Sequence, residues 1–119
     1  MTFYNNSGEA TAYLDDDLTH IYLFDGTPVA YLVNNMVYGF NGHQFGWFEN
    51  GWIRDLNGDC VFFTKDASGP GPIKPIKKMN PIKSIKHIKP VKCVREIKRL
   101  KAISSLSWST FSGKQFFDQ

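Results

Sequence analysis

Between Ile21 and Thr64 apolar and polar residues alternate, and the alternation is broken at even intervals by Asp25-Gly26, Asn41-Gly42 and Asn57-Gly58, each 16 residues from the next. Alternation places successive side chains on opposite faces of a strand, and Asx-Gly between two such runs is a hairpin signal that favours a two-residue type I′ turn. Gly8, 18 residues before Gly26, supplies a fourth unit, the two extra residues being absorbed by the acidic link Asp15-Asp16-Asp17. The other links are Asn34-Asn35 and Asn50-Gly51. Four hairpins of about 16 residues, hence eight strands, are therefore predicted for residues 1–67.

Alignment on the four glycines tests this independently. Five residues after each stands an aromatic: Tyr13, Tyr31, Trp47 and Phe63. Four before stand Tyr4, Tyr22, Tyr38 and, as the exception, Arg54, for which a pairing with Asp55 or a cation–π contact is expected. In the two-residue register the aromatics share one face with Val29, Phe45 and Val61. The other face carries Phe3, Ile21, Val37 and Ile53 with the small Ala12, Ala30 and Gly46, and Phe62 breaks the small set. Isolated hairpins are marginal in water, so the units must support one another around a shared axis. The predicted fold is all-β, a shallow antiparallel barrel of four hairpins, with Ile21, Val37, Ile53, Ala30, Gly46 and Phe62 as candidate channel-lining residues.

The segments Leu23–Tyr31, Val37–Phe48 and Ile53–Gly58 resemble the bacterial four-fold β-flower family. The resemblance implies a symmetric barrel, related in shape to Tubby C-terminal-like domains, with short hairpins as petals around a hydrophobic channel. It implies no established activity, although Tubby-like relatives bind anionic phospholipid headgroups.

Beyond the turn-rich linker 68–72 the period changes. An apolar residue occupies every third position from Ile73 to Ile103, a basic one usually follows it, and Pro72, Pro75, Pro81 and Pro90 share the third register. A period of three spirals around an α-helix but stays straight on a polyproline ribbon, which also needs no N–H donors. An extended ribbon is predicted from about Ile73 to Val91, with a short helix possible over 93–105. The ribbon must wrap the barrel or bend, its Ile row anchored on the barrel and its Lys row solvated. The segments are thus 1–67, barrel; 68–106, linker and basic tract; 107–119, an aromatic segment packing back.

Charge sharpens this division. The 119 residues carry a net +3, but residues 1–67 sum to −7 and residues 68–119 to +10. Either the tract neutralises the barrel or it is offered to a polyanion. Lys74, Lys77, Lys83, Lys86, Lys89, Lys92, Arg95 and Lys98 are the candidate anion-binding residues, and an anionic lipid or membrane surface is the expected partner. Nucleic acid is less favoured, because Ile stands where base-stacking aromatics would interleave with Lys; a toxin-type effector and a purely structural domain are the other readings.

No phosphate-binding loop, HExxH or zinc-spaced Cys/His set occurs, and Cys60, Cys93, His20, His43 and His87 are scattered. No catalytic residue, metal or cofactor is assigned, and a non-enzymatic, monomeric protein is expected. With no leader-like or membrane-spanning apolar run, a cytoplasmic location is expected, with peripheral membrane association as the alternative.

Overall fold

In the computed structural model, which describes residues 1–119, eight strands form a closed antiparallel barrel in chain order. They are β1 (Thr2–Tyr4), β2 (Ala10–Leu14), β3 (His20–Leu23), β4 (Pro28–Val33), β5 (Met36–Tyr38), β6 (Gln44–Glu49), β7 (Trp52–Asp55) and β8 (Cys60–Phe63). β8 returns to β1 through Tyr4 and Phe63, so no sheet edge remains. The molecule measures 36 × 36 × 22 Å, a thick disc.

The Asx-Gly turns at the petal tips differ from the type I′ expectation. At each tip the glycine alone has positive φ, between 80° and 95°. Its N–H donates to the carbonyl three residues earlier: Gly8 to Asn5, Gly26 to Leu23, Gly42 to Gly39 and Gly58 to Asp55, at 2.9 to 3.1 Å. This is the three-residue loop that ends in a left-handed glycine. Side-chain oxygens of Asn5, Asp25, Asn41 and Asp55 accept from the N–H two residues on and stabilise the loop. The two-residue loops with both φ positive lie at the opposite end of the barrel, in the links Asn34-Asn35 and Asn50-Gly51.

The longer tip loop shifts the register. Ile21 faces Ala30, but Tyr22 faces Pro28, and the same irregularity follows Phe3, Val37 and Ile53. One residue of each second strand is left unpaired by the bulge, and Val29, Phe45 and Val61 turn inward, away from the aromatic face where the two-residue register put them. The outer face keeps the stacked pairs Tyr13–Tyr22, Tyr31–Tyr38 and Tyr4–Phe63, one in each groove between neighbouring petals. Trp47 and Arg54 face each other in the fourth groove.

Phe3, Ala12, Ile21, Ala30, Val37, Ile53 and Phe62 are fully buried in one cluster on the barrel axis. A Cβ on Gly46 would overlap the Arg54 carbonyl of the adjacent strand, so glycine is required there for the strands to pair. The expected channel is a filled interior. Phe62 replaces the small residue of the fourth unit, and the tip-side mouth is closed by a 3₁₀ turn, Lys114–Asp118, whose Phe116 and Phe117 pack edge-on and stacked against Phe62. Ser112 and Gln119 fix this segment to the tips through the Val61 carbonyl and the Asn41 amide.

Candidate functional site: a belt around the barrel

The tract after Pro72 contains neither helix nor strand, including 93–105, where a short helix had been possible. It is held by backbone bonds to the tips. Lys78, His87, Glu96 and Ser105 donate their N–H groups to the carbonyls of Gly8, Gly26, Gly42 and Gly58, at 2.8 to 3.1 Å. These donors are nine residues apart, so each segment of three triplets advances the chain by one petal. Ser84 and Cys93, also nine apart, donate to Phe24 and Phe40. Helix is excluded because these N–H groups of the third register are directed at the barrel, and the prolines of the same register, Pro72, Pro75, Pro81 and Pro90, have none to offer. Arg99 stands where the next proline would fall, and its N–H is accepted by the buried Gln44 side chain at 2.8 Å. The ninefold spacing of Pro72, Pro81 and Pro90 is the sequence signal for this belt, hidden beneath the period of three.

The two remaining rows are placed opposite to expectation. All eleven apolar residues, Ile73, Ile76, Met79, Ile82, Ile85, Ile88, Val91, Val94, Ile97, Leu100 and Ile103, are 90–97% exposed and project away from the barrel. Of the basic row, Lys83, Lys86, Lys92, Arg95 and Lys101 turn inward over the grooves. Lys83 lies 4.2 Å from the Tyr13 ring and Lys92 4.6 Å from Tyr31, with Lys86 and Arg95 over Tyr22 and Tyr38 at 5.6 and 5.7 Å. The physical reason is the lining of the grooves. Tyrosine faces and carboxylates attract an ammonium, each cation–π contact contributing about 0.5–1 kcal/mol near solvent, whereas an isoleucine there would leave the carboxylates unpaired.

Carboxylates complete two grooves. Asp15 pairs with Lys86, whose hydrogen bond lowers the Asp15 pKa and raises that of Lys86. Glu49 accepts from Lys101 at 2.9 Å and Ser104 at 2.8 Å; burial raises its pKa, but these bonds outweigh burial and leave it lowered. Lys77, Lys89 and Lys98 of the candidate set form no ion pair, hydrogen bond or cation–π contact. Lys74 donates to the Ala67 carbonyl at 2.7 Å.

Arg54 joins the belt's two ends. Only 2% exposed, it donates to the carbonyls of Gly58 and Ser105 at 2.8 and 2.9 Å and to that of Pro70, and its Nε lies 3.4 Å from Glu49. Pro70 precedes the belt and Ser105 concludes it, so one guanidinium clamps start and finish. The expected partners, Asp55 or an aromatic face, are not those it takes. Asp55 is occupied in capping its own tip, accepting from Asn57 and Asp59.

The fold contains no cluster of His, Cys, Asp or Glu arranged to hold a metal ion. Cys60 is buried, and burial pushes its thiol up to about 11, which makes it a poor nucleophile. His20 Nδ1 donates to the Asp17 carboxylate at 2.6 Å and the ring stacks on Phe40, which fixes the adjoining link.

A model of the family described as "4-fold beta flower protein" matches residues 1–117, barrel, belt and terminal plug together. The chain belongs to the β-flower family. No curated protein and no solved structure matches it. The match covers the wrapped tract as well as the petals. No helix of this β-flower is long and apolar enough to cross a membrane.

Proposed function

We propose that this β-flower is a non-enzymatic module that binds an anionic membrane surface through its belt. The observation that carries the reading is the exposed apolar row beside the unpartnered Lys77, Lys89 and Lys98. Monomeric proteins rarely expose contiguous apolar surface of this extent without a partner, and apolar side chains next to lysines match the acyl and phosphate layers of a membrane interface. Lys77, Lys89 and Lys98, without partners on the barrel, are the groups available to lipid phosphates; each basic residue near an anionic surface contributes about 1 kcal/mol. The shape kinship with Tubby-like barrels that the family resemblance implies would point to the same ligand class. A nucleic-acid partner is less well supported, since isoleucine rather than an aromatic occupies the outward positions.

The belt's course is read as polyproline-like. Thirty-five residues, 72–106, at about 3.1 Å each span about 110 Å, close to the girth of a disc 36 Å across. Four nine-residue segments, one per petal, extend the four-fold arrangement of the barrel to the belt, and residues 1–67, 68–106 and 107–119 act as barrel, belt and plug of one unit. Several outward side chains would then reach a flat membrane together.

Co-sedimentation with phosphatidylserine-containing and pure phosphatidylcholine vesicles tests the proposal. Binding is expected to the anionic vesicles, to weaken as salt rises, and to fall at least tenfold in Lys89→Gln/Lys98→Gln and in Ile82→Ser/Ile85→Ser/Ile88→Ser. Equal binding to both vesicle types, or none to either, overturns it.

A further inference from the structure

Three of the grooves between petals take belt cations onto their tyrosines or carboxylates, and the groove between the last petal and the first does not. Seven residues after the tip glycines stand Asp15, Val33, Glu49 and Lys65. Where this position is Asp15 or Glu49 a belt lysine neutralises it, and where it is Val33 the belt lays Lys92 and Arg95 on the tyrosine pair. In the groove between the last petal and the first, Lys65 reverses the sign. The belt residues that would enter are Lys74 and Lys77, nine positions before Lys83 and Lys86. Lys74 instead donates to the Ala67 carbonyl with its ammonium 6.0 Å from the Trp52 ring, and Lys77 makes no ion pair, hydrogen bond or cation–π contact.

What remains is a cavity of about 470 Å³ lined by Met1, Thr2, Tyr4, Lys65, Asp66 and Asn80. Its volume lies in the range of small-molecule sites. The lining is partly organised: the Tyr4 hydroxyl donates to Asn80 Oδ1 at 2.9 Å, and the Asn80 amide donates to the Thr2 hydroxyl at 3.3 Å. Lys65 and Asp66, opposite charges adjacent in the chain, pair neither with each other nor with any other group.

We propose that this groove binds a small zwitterion, its anionic group on Lys65 and its ammonium on Asp66, over the Tyr4–Asn80–Thr2 hydrogen-bond chain. A lone anion would leave Asp66 unpaired and repelling it, and a lone cation would meet Lys65 in the same way. A ligand with both charges a few ångströms apart satisfies both residues and replaces the belt lysine missing from this groove. A carboxylate-bearing amino acid and a phosphoethanolamine headgroup share this chemistry.

The test is an amide NMR titration of the full chain with glycine and with phosphoethanolamine, alongside inorganic phosphate and ethylamine as half-ligands. Saturable shifts at Thr2, Tyr4, Lys65, Asp66 and Asn80 are expected with one of the zwitterions, which identifies the source. Either half-ligand should bind at least tenfold more weakly. Lys65→Gln and Asp66→Asn, at exposed positions, should abolish the shifts while retaining the wild-type spectrum elsewhere, and Lys89→Gln should leave them intact. Absence of saturable shifts with both zwitterions, phosphate binding as tightly as either, or full binding by Asp66→Asn overturns the proposal. No vesicle is involved, so the outcome is separate from that of membrane binding.

Discussion

Barrel and belt are both periodic, but they use their apolar residues in opposite ways. In the barrel the 16-residue unit turns one row of side chains to the axis, and Phe3, Ile21, Val37 and Ile53 are wholly removed from water. In the belt the nine-residue unit turns its isoleucines outward and most of its basic side chains inward, and its attachment runs through tip carbonyls, tyrosine faces, Asp15, Glu49 and Gln44. Barrel stability is therefore hydrophobic, whereas the belt's outward row contributes nothing to folding that burial could supply. Substitutions that separate the two regions test this division.

The largest effect is expected inside the barrel. Gly46→Val drives a side chain into the Arg54 carbonyl and parts β6 from β7, and Phe116→Ala opens the plugged mouth. Urea unfolding should show a loss of about 3–5 kcal/mol for Phe116→Ala, and Gly46→Val should fail to give a cooperative transition. By contrast Gly26→Ala, where a Cβ meets the Ile85 carbonyl at a left-handed φ of 95°, should cost about 1–2 kcal/mol and expose residues near Ile85 to protease. If Gly26→Ala unfolds the barrel as Gly46→Val does, belt and barrel are not separable.

Arg54 is where the two regions are bound together. Arg54→Met preserves bulk but strands the carbonyls of Ser105 and Pro70 and removes the guanidinium beside Glu49, and about 3 kcal/mol should be lost. Both belt ends should then be cut by protease before the petals unfold. Simultaneous loss of all regions would show that the clamp is as much a part of the barrel as of the belt.

This contrast also explains how much could be read from the chain. The hairpins were legible because burial imposes alternation, and the tyrosine register located the grooves. The tip turns were not, because Asx-Gly suits both a two-residue and a three-residue loop; only the partner of Tyr22, Pro28 rather than Val29, distinguishes them. The belt's period of three was visible, but the assumption that isoleucine faces protein misoriented it. The grooves attract cations, and that follows only once Tyr13 and Tyr22 are known to stack on the outside. The prolines at nine-residue intervals carried the wrapping geometry, whereas the open groove at Lys65 required aligned petals to notice.

Acid should loosen the links and grooves before the interior. Burial raises the pKa of Asp17, but bonds from His20 and Thr19 outweigh it and bring it down to about 2; the Lys86 bond lowers that of Asp15. A depressed folded pKa means a contribution present above the unfolded value, near 3.8, and lost as pH falls toward 2. Urea midpoints should therefore drop between about pH 4 and pH 2, with a smaller drop in Asp17→Asn. An identical profile in that variant would place the acid sensitivity elsewhere. Lys83→Gln, removing one cation–π contact, should cost about 0.5–1 kcal/mol at neutral pH.

The smallest expected effect on stability is the most informative about the comparison. Ile82→Ser, Ile85→Ser and Ile88→Ser replace side chains that are 93, 91 and 95% exposed. Each should change unfolding free energy by less than about 0.5 kcal/mol, as exposed positions do, and the triple variant should match the wild type in urea. An isoleucine that anchored the belt on the barrel would instead cost about 2 kcal/mol or more when truncated, so a large destabilisation would return the apolar row to the protein interior. A stable triple variant that no longer sediments with anionic vesicles would leave that row one use, contact with something outside the chain.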